Sequence, residues 1–362
     1  MAEAKQYFKD FLSNIRLSKY QMEDLARGYN TLRDRLKSDD ELSKIVQTTF
    51  LQGSYKRSTA VKPKNGKRSD VDIIVVTNID AEKVTPQEAM NLFVPFLNKH
   101  YKDKWEFNSR SIGIKLSYVD LDLVVTAEIK DDEALNFMQR EEGITTGSIS
   151  KALENNLISV DYFNIFDSIF LNANKKANPD VLLIPDRETK TWEETNPLAQ
   201  INWTIDKNSA CNKHYVNVVK ALKWWKKLNT SPKYPKGYPL EHLIGVTCPD
   251  GIESVAEGVV SVLENIVNDY SQKPILKDHG VPDHDVFERI SDEDYNEFYK
   301  LVEKAAKQAR KALNEEEFST SIEYWRELFG NEFPEPQNLS NQKSNFSERS
   351  AATKNIGSAR FG

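Results

Sequence analysis

Asp70 and Asp72 flank one valine and lead into Ile73-Ile74-Val75-Val76; about fifty residues later, Asp120 and Asp122 lead likewise into Leu123-Val124-Val125. Alternate residues of a β-strand share a face, so the carboxylates of each pair project together. Mg²⁺ takes oxygen ligands, commonly one or two carboxylates with substrate phosphates. Two such ions about 4 Å apart activate an attacking hydroxyl and stabilise a leaving pyrophosphate in an in-line displacement. Two carboxylates on one strand and a third on a neighbour form a donor set for that chemistry. Spacing alone does not choose between Asp120 and Asp122. Asp122 is preferred because it directly precedes its apolar run, as Asp72 does.

Upstream stands Gln52-Gly53-Ser54, with Arg57 one turn further on. Glycine lets a backbone approach a phosphate closely, exposed amides at a helix start attract anions, and a serine hydroxyl adds a donor. Taken singly these residues are commonplace: Ser54 could be no more than an N-cap, and an acidic strand edge can simply be solvated. Their order is more specific. Gly-Ser, then Asp-x-Asp, then a carboxylate entering a second apolar strand point to nucleotidyl transfer. Asp70, Asp72 and Asp122 are then the catalytic metal ligands, and Gln52, Gly53, Ser54 and Arg57 grip the nucleotide. The basic loop Lys62–Arg68 could hold polyphosphate or be a solvated hairpin tip, and the latter is favoured.

Several elements must position these groups. Ser18 and Gln21 form a capping box, and Met22, Leu25, Tyr29, Leu32 and Leu36 recur at helical spacing, predicting a helix of roughly twenty residues. A shorter helix is expected around Glu41–Thr49, helical structure over Pro86–His100, one further strand within Trp105–Tyr118, and a strand and turn over 181–197. From Leu198 the pattern is helical, with a second capping box at Ser291 to Asp294. The expected division is a catalytic lobe over 1–197, a helical lobe over 198–334 and a disordered tail over 335–362, where Asn, Ser, Gln and Lys dominate.

From about residue 10 to 334 the chain resembles the bacterial CD-NTases, cyclic oligonucleotide synthases related to cyclic GMP–AMP synthase within the DNA polymerase β-like superfamily. Beyond the carboxylates, the resemblance rests on Leu183-Ile184-Pro185-Asp186, Asn196-Pro197, Lys223-Trp224-Trp225, Tyr238-Pro239-Leu240-Glu241 and Trp325-Arg326-Glu327-Leu328. The run from Tyr234 to Gly245 is similar to clade D. The resemblance implies a bilobed α/β fold, of the α+β kind, with a long N-terminal spine helix and two Mg²⁺ ions. It also implies ATP and GTP as substrates, a cyclic di- or trinucleotide product with the trinucleotide favoured, and a role in anti-phage signalling (CBASS). On the same basis Lys223, preferred over Lys220, binds the donor triphosphate as a point charge. Tyr238 is expected to stack on a nucleobase. Many relatives carry a serine before this tyrosine; here it is Gly237, so only the aromatic role carries over.

Composition narrows the alternatives. A 362-residue chain with 29% charged and 39% hydrophobic residues suits an enzyme with two real cores. The net charge of −6 argues against nucleic-acid binding across the whole surface, and no obligatory nucleic acid is expected. That weakens one rival, a template-independent RNA 3′-end nucleotidyltransferase using the same carboxylates. Another rival, a fold serving only as a scaffold, is weakened by the presence of every expected carboxylate. Two cysteines without metal-type spacing indicate neither a disulfide framework nor a zinc site. No signal peptide or membrane-length apolar run is seen, so the expected location is cytoplasmic.

The chain closes with Gly357-Ser358-Ala359-Arg360-Phe361-Gly362. A terminal glycine imposes no side-chain clash beside its carboxylate and could enter a narrow adenylating site. The resemblance implies a ubiquitin-activating-like partner that conjugates the synthase there, so Gly362 is the expected conjugated residue.

Overall fold

The computed structural model describes residues 2–64, 66–129, 135 and 181–336. Residues 46–125 carry a five-stranded mixed sheet. The strands are β1 (Val46–Leu51), β2 (Ser69–Thr77), β3 (Trp105–Phe107), β4 (Ile112–Lys115) and β5 (Val119–Val125), in the order β1-β2-β5-β4-β3. β2 and β5 pair in parallel while their outer neighbours pair antiparallel. The parallel pair requires a crossover, which α4 (Pro86–Asn91), α5 (Val94–His100) and the β3–β4 hairpin supply.

The alternation along β2 and β5 assigns their two faces. Val71, Ile73, Val75, Leu121, Leu123 and Val125 form one core with Leu25, Tyr29 and Leu32 of α2 (Lys19–Lys37) and with Met90, Phe93 and Phe96. Each such buried side chain contributes roughly 1.5–3 kcal/mol. On the other face, Ile74, Val76 and Val124 pack with Phe50, Leu182, Leu198 and Ile201. Asp70, Asp72, Asp120 and Asp122 share the parity of this second face, at the end where its apolar cover gives out. α2 begins as expected: Ser18 Oγ accepts from Gln21 N, and the Gln21 side chain accepts from Ser18 N.

A second antiparallel pair, β6 (Leu182–Asp186) and β7 (Thr191–Thr195), leads into α6 (Pro197–Ala210). There follow α7 (Tyr215–Leu228), α8 (Tyr238–Thr247), α9 (Val255–Asp269), α10 (Asp292–Asn314) and α11 (Phe318–Phe329). These helices share one core, which also takes in Phe8, Phe11, Leu12 and Ile15 of the first helix, α1 (Ala2–Ile15). At the start of α10, Ser291 Oγ accepts from Asp294 N.

Three local expectations are corrected. Residues 41–49 are not a helix: a single 3₁₀ turn over Leu42–Lys44 precedes β1. Val46, Thr48, Thr49 and Phe50 are β-branched or aromatic, and pairing with β2 overrides the weak helical spacing. Trp105–Tyr118 holds two strands rather than one, because the polar turn at 108–111 folds it into a hairpin. Residues 181–197 hold two antiparallel strands rather than one strand and a turn, because the turn at 187–190 folds the segment back on itself. Beyond these, α1 was not anticipated, although Phe8, Phe11, Leu12 and Ile15 carry helical spacing.

Candidate active site

β2 and β5 run in register, Asp70 opposite Asp120 and Asp72 opposite Asp122. Of the four carboxylates, Asp70, Asp72 and Asp122 converge, each with an oxygen within 4.8 Å of the others. Asp120 turns aside to Arg68, whose Nε lies 2.7 Å from its Oδ1. Asp122 is oriented by the hairpin turn: Asn108 Nδ2 donates to its Oδ1 at 3.0 Å and Ser111 Oγ donates at 3.3 Å.

Crowding three carboxylates in a partly desolvated cleft disfavours their charged forms. Desolvation, then repulsion from Asp72 and Asp122, pushes Asp70 up to about 7. Asp72 is pushed up to about 6, by burial first and Asp122 next, with Arg57 and Lys223 opposing. Burial also raises Asp122, against the hydrogen bonds from Ser111 and Asn108. Three oxygen donors in mutual repulsion are a hard-cation donor set, and a divalent metal fits them.

Gln52 N donates to Asp72 O at 3.0 Å, so the turn after β1 is pinned to the carboxylate strand. Gly53 then opens the single turn α3 (Gly53–Lys56) with φ of +71°. A β-carbon there would stand 1.9 Å from Asp72 Oδ2, so only glycine admits this approach. Ser54 is the next residue of the turn, and Arg57 closes it.

Arg57 meets the helical lobe. Its Nε lies 3.1 Å from Glu241 Oε2, and its guanidinium stands over the Tyr238 ring at 5.0 Å. Lys223 Nζ lies 2.6 Å from Glu241 Oε1, and Thr59 Oγ1 donates to Oε2 at 2.8 Å. Lys223 therefore faces this junction, whereas Lys220 is buried in the helical lobe. Although burial opposes it, the charges of Arg57 and Lys223 hold the Glu241 carboxyl down at about 2.

Gly237 has φ of +61°, a backbone conformation that a serine would adopt only with strain. Tyr238 follows it at the start of α8 and lines a cavity of about 410 Å³ with Arg110, Tyr234, Lys236, Asp278 and Arg289. The buried Asp186 carboxylate accepts from both Arg110 and Arg289, and these bonds hold it well below the usual carboxylate range despite its burial. Asp186 of β6 is thereby tied both to the β3–β4 turn through Arg110 and to the segment before α10 through Arg289. Sequence reasoning gave no role to Asn108, Ser111 or Thr59, and quoted Glu241 only within the Tyr238–Glu241 run. The signals were a polar stretch at 108–111 and an acid among Leu240, Leu243 and Ile244. Gly362 and all of 337–362 lie outside the described residues.

The mixed sheet, its three converging carboxylates and the glycine turn beside them define a nucleotidyltransferase of the DNA polymerase β-like fold. Residues 1–145 match the family model for the Second Messenger Oligonucleotide or Dinucleotide Synthetase domain. The chain is 46% identical over 357 residues to a probable cyclic AMP-AMP-GMP nucleotide synthase of Salmonella paratyphi B, covering 92% of this chain and 93% of that one. It is 44% identical over 355 residues to the cyclic AMP-AMP-GMP synthase of Enterobacter hormaechei subsp. hoffmannii, with coverages of 92% and 93%. The structure of CdnC with ATP, from E. coli MS115-1, is similar in fold at 15% identity, with a TM-score of 0.63 over 91% of this chain and 98% of that one. Vibrio cholerae DncV in its apo form follows at 13% identity and 0.54, over 87% and 78%. The chain belongs to the CD-NTase family of cyclic oligonucleotide synthases.

Proposed function

We propose that the enzyme joins ATP and GTP into a cyclic trinucleotide, cyclic AMP-AMP-GMP, the product for which its Salmonella and Enterobacter relatives are named. The observation that carries its chemistry is the convergence of Asp70, Asp72 and Asp122 beside the Gly53 turn. The catalytic lobe lies within residues 1–197 and the helical lobe is 198–334, with α1 of the N-terminal part packed into the helical core. The Ser54 hydroxyl, the backbone around Gln52 and Gly53, Arg57 and Lys223 hold the donor triphosphate, and Tyr238 stacks on a base at the wall of its cavity.

In each round a 3′-hydroxyl attacks the α-phosphorus of the held nucleotide. A new phosphorus–oxygen ester bond forms, the bond between the α- and β-phosphates breaks, and pyrophosphate leaves. Asp122 stands where the attacking hydroxyl gives up its proton, and Asn108 and Ser111 fix its oxygen. Asp70, Asp72 and Asp122 would hold two Mg²⁺ ions, which would supply Lewis-acid activation of the hydroxyl and neutralise charge on the leaving group. The linear intermediate then turns in the cleft so that its own 3′ end attacks its 5′ triphosphate. A linear intermediate of this kind occupies a solved structure of DncV, a fold neighbour with a TM-score of 0.53.

The product acts as a second messenger, which the match to second-messenger synthetases supports; its place in bacterial anti-phage defence rests on the resemblance alone. The reaction runs in the cytoplasm. Among the described residues no helix is long and apolar enough to cross a membrane. Protein partners are part of this reading, since CdnC of E. coli MS115-1 is found in complex with a HORMA protein. For this chain the partner is ubiquitin-activating-like and acts at Gly362; unchanged conjugation after a bulky residue is appended there would overturn that assignment.

The test of activity is incubation with ATP, GTP, CTP, UTP and Mg²⁺, followed by mass spectrometry of phosphatase-treated products. A phosphatase-resistant species of two adenylates and one guanylate, absent from the Asp70→Ala, Asp72→Ala double variant, is expected. A species of other composition would overturn the product, and extension of a labelled RNA instead would overturn the reaction.

A further inference from the structure

Glu241 occupies an unusual position for a carboxylate. Its side chain is 4% exposed, and those of its partners Arg57 and Lys223 are 7% and 11% exposed. One partner comes from the turn after Gly53 and the other from α7, so the carboxylate joins the two lobes. Both of its oxygens are engaged: Oε1 takes Lys223, and Oε2 takes Arg57 and Thr59. Burying three charges is not an economical way to stabilise a junction, because desolvation offsets most of the attraction and apolar residues do as well or better. What such a cluster does provide is a fixed arrangement. An arginine has five N–H donors and a lysine three, so the bonds to Glu241 leave donors on both cations for a polyanion. Without the carboxylate the two cationic heads would repel each other.

We propose that Glu241 is a positioning residue for nucleotidyl transfer, clamping Arg57 of one lobe and Lys223 of the other at the separation the reacting triphosphate needs. The inference rests on the reading of Arg57 and Lys223 as triphosphate ligands. It separates two effects of opposite sign. Considered as charge alone, Glu241 opposes the incoming triphosphate, and neutralising it tightens binding. Considered as a clamp, it serves the transition state, and neutralising it slows the reaction, since displacing a group by about 1 Å costs on the order of 100-fold.

The test measures kcat, KM for ATP and melting temperature for the wild type, Glu241→Gln, Lys223→Met, Arg57→Gln and the Glu241→Gln, Lys223→Met double variant. For Glu241→Gln, kcat falls on the order of 100-fold while KM stays level or drops. The double variant is no slower than the worse of its two single variants, because Glu241 acts through the cation. Where Glu241→Gln does not fold, Glu241→Asp keeps the charge with a shorter reach and shows the same kcat loss at unchanged KM. An unchanged kcat with a lowered melting temperature, or multiplying losses in the double variant, would overturn the clamp. Silent Lys223→Met and Arg57→Gln variants beside a slowed Glu241→Gln would instead overturn the reading of those cations as triphosphate ligands.

Discussion

Gly53 lies so close to Asp72 that a β-carbon added to it would stand 1.9 Å from Asp72 Oδ2. The turn proposed to grip the nucleotide and the carboxylate proposed to serve the reaction are therefore one packed unit. Gly53→Ala meets both this clash and the strain of φ +71°. The backbone strain alone costs about 1–2 kcal/mol. The expected outcome is a modest fall in melting temperature and loss of product formation on the order of 100-fold. Wild-type turnover in this variant would show that the turn moves freely away from Asp72.

Asp120 and Asp122 differ by two residues and by partner, Arg68 for one and Asn108 with Ser111 for the other. Asp122→Asn is expected to abolish the phosphatase-resistant product, and Asp120→Asn to retain most of it. Asn108→Ala frees the Asp122 carboxylate to rotate, for a loss of about 10- to 100-fold. Quantitative mass spectrometry of the products checks all three.

The carboxyls of Asp70 and Asp72 sit at about 7 and about 6 in the folded protein. Above about pH 4 the unfolded chain has lost these protons while the folded protein still binds them. The metal-free fold therefore loses stability through this pair as pH rises from about 4 toward 7, and below that window the penalty is absent. Asp70→Asn removes part of the effect. In chelator, its melting temperature should gain on the wild type between about pH 5 and about pH 8; a pH-independent difference would contradict the assignment.

Mg²⁺ relieves the same repulsion by binding the folded state alone. Saturating Mg²⁺ is expected to raise the wild-type melting temperature, by about 2.7 kcal/mol of stability at a hundredfold excess over Kd. It should do little for Asp70→Asn, Asp72→Asn. Equal shifts in both proteins would place the ion elsewhere.

Much of the site was legible because its signals are local. The period-two spacing of Asp70 and Asp72, the β-branched runs behind them and the Ser18–Gln21 box depend on residues within a few positions of one another. The strand at 46–51 was misread for the complementary reason. Its conformation is settled by pairing with Ile73 to Thr77, about twenty-five residues away.

By itself, the amino-acid sequence determined that two acidic pairs would each enter a β-strand and share a face, since side-chain alternation is a property of the backbone. Only the tertiary structure decided that Asp122 joins Asp70 and Asp72 while Asp120 is drawn off by Arg68. It also decided that Glu241 reaches across 184 residues to Arg57. Spacing carries no information about either contact, because both depend on how separately folded elements pack and which cation arrives within reach.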